Sequence, residues 1–338
     1  MNLWRPRLRT TVLAALISLA SFASHAETRY MIATATPGGT YYPVGVALST
    51  LIKVKLLPTA GIDMSAVNSA GSEENVSLLI ENRAQFAIMQ SLFGVFAVEG
   101  TGPLASLGAQ QDLRSIASLW PDVEHFVIPR ELAKSGNLAD FLAIQGAKVS
   151  LGRPGSGVRW STSTILTGQG IAPDDAFQLV DMGYDASADA LLNGTISGMS
   201  VSGGPPVAGV TRVMANAPND FVLLNVTAAQ ASASNNGLDV WTLQVVPAGT
   251  YPGQTEDVTS LAQPNILVAR ADVSDDDVYQ ITKSMFENLH FLRGIHAATE
   301  AIELESALDG LAIPLHPGAA RYFEEAGVTI PDHLQPPQ

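Results

Sequence analysis

Repeatedly in this chain an apolar, β-prone run ends in a glycine- and hydroxyl-rich turn that opens into a helix. No other feature constrains the fold as much. The first copy is residues 31–49, MIATATPGGTYYPVGVALS. The run Tyr30 to Ala35 meets a Gly-Gly-Thr-Tyr loop, and Val44 to Leu51 then has helical character. Glycines let a backbone approach a ligand closely. A helix start offers unpaired N–H groups and the positive end of the dipole. The loop lacks a following Gly-Lys-Ser/Thr and lacks G-x-G-x-x-G spacing, which excludes a nucleotide P-loop and a dinucleotide fingerprint. Such turns also serve as plain connectors in α/β proteins.

The rest of the chain alternates. Ile62–Val67 reads as a strand, followed by a helix from Glu73 to Ile80 with Val76, Leu79 and Ile80 on one face. Phe86–Met89 reads as a buried strand, and Gln90-Ser91 opens an apolar helix. Leu113–Leu119 and Phe126–Ile128 are expected as separate strands flanking Trp120-Pro121-Asp122. A second set begins near 137. A helix over 138–144 and a strand over 147–151 lead to Gly152-Arg153-Pro154-Gly155-Ser156-Gly157 and a helix to about Thr167. Phe177–Val180 and Ile196–Val201 read as strands around a helix over 186–192, and Ser202-Gly203-Gly204-Pro205 opens another helix. Strands over 243–246 and 265–269 follow, then helices over 275–289, 297–308 and 320–326. This rhythm predicts mostly parallel sheets covered by helices. Ligands in open α/β sheets sit outside the carboxyl ends of strands. The expectation is two α/β lobes, residues 27–122 plus 262–338 and residues 123–261, with a cleft lined by N–H groups and hydroxyls.

Arg5, Arg7 and Arg9, the apolar run Thr11 to Ala23 and the small residues of Ser24-His25-Ala26 read as a secretory signal peptide over 1–26. The run is short for a membrane span. There are no cysteines, which excludes lipoprotein anchoring, disulfides, thiolate metal sites and cysteine nucleophiles. Export to a periplasm fits. The formal net charge of −14 argues against nucleic acid and anionic membrane surfaces as partners. An anionic ligand stays admissible, because local N–H groups outweigh a distant screened field. A hydrophobic content of 46% with 15% charged residues suits a sizeable core.

Taken in order, G-G-T-Y-Y (38–42), G-S-E-E-N (71–75), Q-S (90–91), R-P-G-S-G (153–157), P-A-G-T-Y-P (247–252) and P-L-H-P-G-A-A-R-Y-F (314–323) resemble the TAXI family. These are periplasmic solute receptors of one branch of the TRAP transporters, and the resemblance runs from about residue 28 to 327. It implies a type II periplasmic-binding-protein fold with two α/β lobes, a hinge and a central cleft. It also implies capture of a small organic anion, a carboxylate or an amino acid such as glutamate, and delivery to TRAP membrane subunits driven by an ion gradient. The chain departs from the family pattern at Val158-Arg159-Trp160, where a threonine usually comes first, at Ser197-Gly198 and at Arg153.

The candidate ligand-binding residues are Gly39, Thr40, Tyr41, Ser72, Asn75, Gln90, Ser91, Gly155, Ser156, Gly157, Arg159, Ser202 and Gly203. Each has a structural alternative. Thr40 and Ser72 suit helix caps, Tyr41 a core aromatic, Arg153 and Arg159 solvated surface cations, and Trp160 and Trp241 core packing. An arginine beside a glycine turn can fork onto a carboxylate. His316 reads as a turn or capping histidine, and the remaining histidines show no metal spacing. No cofactor or metal is expected. G-x-S-x-G and H-E-x-x-H are absent, so a binding protein, expected as a monomer, is favoured over an enzyme. The alternatives are a secreted hydrolase using Ser156 or Ser72, and a same-fold receptor for an ABC importer or a sensor kinase.

Overall fold

A computed structural model describes residues 27–235 and 237–337; the expected signal peptide lies outside the described residues. Ten strands form one mixed sheet. They are β1 (Thr28–Ala33), β2 (Ile62–Val67), β3 (Phe86–Gln90), β4 (Leu113–Pro129), β5 (Lys148–Ser150), β6 (Gln178–Leu179), β7 (Gly198–Gly203), β8 (Phe221–Leu223), β9 (Thr242–Val246) and β10 (Val258–Arg270). The order is β2-β1-β3-β10-β4-β7-β5-β6, with β8 on β4 and β9 on β10. Parallel pairing holds for β1–β2, β1–β3, β5–β6 and β5–β7. The long strands β4 and β10 pair antiparallel with their neighbours, so the expectation of mostly parallel sheets needs correction. Helix starts follow the ends of the parallel strands, and these starts form the site.

Trp120-Pro121-Asp122 does not separate two strands: β4 runs through it without a break. Pro121 stands opposite Pro264 of β10, and the register shifts between Pro264 and Ile266. Proline cannot donate to a ladder. Two facing prolines therefore thin the hydrogen bonding where β4 and β10 cross from one half of the molecule to the other. On one side of this crossover β4 and β10 pair beside β3; on the other, β4 pairs with β7 and β10 with β9.

The helix Tyr41–Ala60 starts directly after the Gly-Gly-Thr turn. Among the described residues it is the one helix long and apolar enough to cross a membrane. Here it is a core helix: Val44, Leu48, Leu51 and Ile52 are buried in the main hydrophobic cluster together with Ile32, Ile62 and Phe86. A second cluster, Val127, Leu191, Met199, Val201, Val210 and Val213 among others, fills one side of the other half. The chain end packs beside β3, since Asn265–Ala269 pair with residues 86–90. The helix expected over 297–308 is only a 3-10 turn, Ala297–Ala301. Conversely β8 and the helix Ala228–Asn235 were not anticipated. Both are too short to carry a readable period.

Candidate functional site

Three helix starts converge between the halves. In the first half, Ala35, Thr36, Gly39, Thr40 and Tyr41 come from the turn after β1, and Ala70, Gly71 and Ser72 from the turn after β2. Gln90 sits at the end of β3. In the other half, Ser156, Gly157 and Val158 open the helix Gly157–Gly168, while Tyr184 and Ser202 face them. Asp122, on the crossover strand, closes the cavity these residues line. The cavity measures about 30 Å³. Contacts between the halves close its rim, so a solute enters when the halves part.

The halves touch backbone to backbone across this cavity. Gly71 has φ 135°, in a region that side chains avoid, and a Cβ built there lies 3.2 Å from the Gly157 nitrogen. A Cβ on Gly157 would sit 2.5 Å from Ser72 Oγ and 2.6 Å from Gln90 Oε1. Around the rim, Glu74 N–H donates to the Gly155 carbonyl at 3.0 Å and Gly209 N–H to the Gly38 carbonyl at 3.2 Å. Thr40 Oγ1 donates to the Gly204 carbonyl at 3.0 Å. Trp160 Nε1 donates to Glu73 Oε2 at 2.9 Å, and its ring meets Phe96 edge-on. Trp160 is thus a bridge at the cleft mouth, beyond the helix packing expected of it.

Of the sequence candidates, Gly39, Thr40, Tyr41, Ser72, Gln90, Ser156, Gly157 and Ser202 line the cavity. Asn75, Ser91, Gly155, Gly203 and Arg159 stand behind or outside it. Asn75 is consumed by structure: its Nδ2 donates to the Thr34 and Ile88 carbonyls and its Oδ1 accepts from Ser69. Ser91 leans on Gln263. Gly155 gives its carbonyl to Glu74, and Gly203 packs against Val207 and Thr40. Arg159 turns outward to Asp174 at 2.9 Å and Asp181 at 3.2 Å, and Arg153 pairs with Glu74 at 3.7 Å. Two acidic residues on the outer face hold Arg159 more readily than a cavity that would have to desolvate it. Arg159→Ala is expected to change solute affinity by less than about 0.5 kcal/mol, the scale of surface substitutions; calorimetry checks this.

The expected cap at Ser72 is also relocated. Gly71 is the cap residue and Ser72 the first helical one. Ser72 Oγ accepts from Gln90 N–H at 3.1 Å, tying one helix start to the end of β3. Ser156 caps its helix by accepting from Arg159 N–H at 3.3 Å, and it donates to the Arg153 carbonyl. Neither serine has a histidine partner among these bonds, as a hydrolase nucleophile would need. His316 caps the helix Pro317–Glu325 through Gly318 N–H.

Sequence reading missed Asp122, Tyr184 and the neighbouring Glu124. Asp122 and Glu124 are both 1% exposed. Asp122 accepts from Gln90 Nε2 at 2.7 Å and Asn265 Nδ2 at 3.3 Å. Glu124 accepts from Ser161 Oγ at 2.5 Å and Thr162 Oγ1 at 3.4 Å. Burial pushes the Asp122 carboxyl up to about 6, against the pull of Gln90, Ser202 and Asn265. Burial, seconded by the Asp122 charge, pushes Glu124 up to about 8. The available signal was Asp-x-Glu in a strand, which puts both side chains on one face, but the assumed break at Pro121 hid it.

A model of the NMT1-like family matches residues 32–327. The chain belongs to the NMT1-like family. Solved structures with the same architecture are distant in sequence. A protein from Bordetella bronchiseptica RB50 superposes with a TM-score of 0.52 at 14% identity, over 90% of this chain and 90% of its own. The binding protein component of an ABC phosphonate transporter from Pseudomonas aeruginosa gives 0.50 at 11% identity, over 80% of this chain and 79% of its own. This NMT1-like chain therefore has the two-lobed, type II periplasmic-binding-protein fold, with its cavity between the lobes.

Proposed function

We propose that this NMT1-like protein is the solute-binding receptor of a membrane transporter and closes its two lobes over a small polar organic solute. The observation that carries the reading is the cavity itself, lined by helix starts from both halves and sealed by contacts between them. Helix starts give N–H donors and partial positive charge without a fixed cation. The N–H groups of Gly157 and Val158, first in their helix, have no carbonyl to meet. They suit the carboxylate of an organic acid or amino acid. Family membership and the fold shared with an ABC transporter's binding component support the receptor role. In this reading the protein works in the periplasm as a monomer. The lobes are residues 27–122 plus 262–338 and residues 123–261, hinged where Pro121 faces Pro264.

The TAXI-like motifs at 38–42, 71–75, 90–91 and 153–157 lie at or directly behind the cavity wall. They support a TRAP permease as the partner. The phosphonate-transporter relative favours an ABC importer as the second reading. Native mass spectrometry of protein purified without denaturation tests the receptor role: a stoichiometric small molecule is expected, and its absence, with no thermal stabilisation by any solute, would end the reading. Uptake into proteoliposomes carrying the permease separates the partners, an ion gradient sufficing for TRAP transport and ATP being required for ABC import.

A further inference from the structure

We infer that Asp122 is a ligand-binding residue whose partner is a protonated amine, so that the solute this cleft selects carries an ammonium group. The inference rests on the receptor reading and deepens it. Asp122 lines the cavity while being almost wholly buried. Its partners are all neutral: the amides of Gln90 and Asn265 and the hydroxyl of Ser202. Glu124, two residues along the same strand, meets only the hydroxyls of Ser161 and Thr162. Asp122 takes part in no ion pair among the described residues, and no lysine or arginine lines the cavity. Buried carboxylates normally have a cation close by. Here the two arginines nearest the turn are spent on Glu74, Asp174 and Asp181.

A second observation points the same way. Gln90 Oε1 is buried, lines the same cavity wall and has no hydrogen-bond partner. The amide is not free to turn over, because its Nε2 holds Asp122 at 2.7 Å and Ser202 Oγ at 3.1 Å. The cavity thus presents a carboxylate and a bare amide oxygen side by side. Both accept and neither donates. An ammonium has three donors and a charge, and it satisfies both at once. A simple carboxylate or sulfonate would bring its own negative charge against Asp122. The helix starts of Ser72 and Gly157 remain for the acceptor end of the solute, which makes the site dipolar: ammonium at Asp122, anion at the N–H groups.

Isothermal calorimetry with matched pairs that differ only in the amine tests this: L-glutamate with glutarate, L-alanine with propionate, 4-aminobutyrate with butyrate, taurine with ethanesulfonate. In at least one pair the amine-bearing member is expected to bind at least ten-fold tighter. Asp122→Asn is expected to erase that margin by weakening the amine-bearing member at least ten-fold. The wild-type pairs alone decide the matter if the variant fails to fold. Equal or tighter binding of the deaminated member overturns the inference, and so does an Asp122→Asn protein that keeps the margin. Those outcomes leave the receptor reading standing, since a solute still binds. Binding by no member of any pair also overturns the inference, and the co-purified solute then shows separately whether the receptor reading survives.

Discussion

Gly157→Val is expected to abolish solute capture, with affinity falling at least a hundred-fold, about 3 kcal/mol, while the free protein still folds. The expectation follows from what stands opposite. A first side-chain carbon at this position meets Ser72 Oγ at 2.5 Å and Gln90 Oε1 at 2.6 Å, both in the other half. Ser72 is tied to the Gln90 backbone, and the Gln90 amide is anchored on Asp122 and Ser202, so neither yields cheaply. Valine adds two methyl groups to the same clash. Neither hydrophobic cluster is touched, and Gly157 has an ordinary helical φ that any residue adopts, so each half keeps its own core. The obstruction exists only when the lobes close. Small-angle scattering should report a larger radius of gyration for the variant in the presence of a solute that compacts the wild type. Wild-type affinity and compaction in Gly157→Val would show that closure does not pass through this contact.

Stability should fall as pH rises from about 6.5 to 8, and Glu124→Gln should remove the fall. Burial, aided by the Asp122 charge, raises Glu124 from 4.5 to about 8 in the folded protein. The folded state then binds the proton more tightly than the unfolded one. Its stability therefore declines as pH climbs from 4.5 to 8 and levels off above. Asp122, raised from 3.8 to about 6, acts in the same direction at lower pH. Buried His125 acts oppositely: burial lowers it from 6.5 to about 4, so stability rises with pH across that interval. Burial also lowers His296 and His316, which join His125 on the acid side. The opposing effects offset each other below 6.5. Above it Glu124 acts alone, and at ~1.4 kcal/mol per pH unit the loss is roughly 2 kcal/mol by pH 8. Glu124→Gln keeps the shape without the charge, so relative to the wild type it should gain about 4 kcal/mol more at pH 8 than at pH 5, about half of it between 6.5 and 8. Thermal melts of both proteins at pH 5, 6.5 and 8 check this. A flat wild-type profile between 6.5 and 8, or a variant that parallels it, would refute the assignment.

By itself the sequence determined the fold class, because periods, turns and buried apolar runs are local properties. β2 is read residue for residue, and the helices after Gly39, Gly71 and Ser156 follow from glycine-rich turns meeting apolar periodicity. Much of the cavity wall was legible for the same reason: Thr40, Ser72, Gln90 and Gly157 sit at strand ends, where an α/β sheet places its ligands. Only the tertiary structure decided the charge inside the cleft. Asp122 looked like part of a turn because Pro121 reads as a strand breaker. Pairing with β10 on both sides of Pro121 keeps β4 continuous, and the fold buries the carboxylate. For Arg159 the glycine turn before it left two readings open, an anion-binding group and a surface cation. Asp174 and Asp181, distant in sequence, fold up beside it and hold it outside. Which side of a wall a charge faces depends on partners many residues away, and no local pattern encodes it.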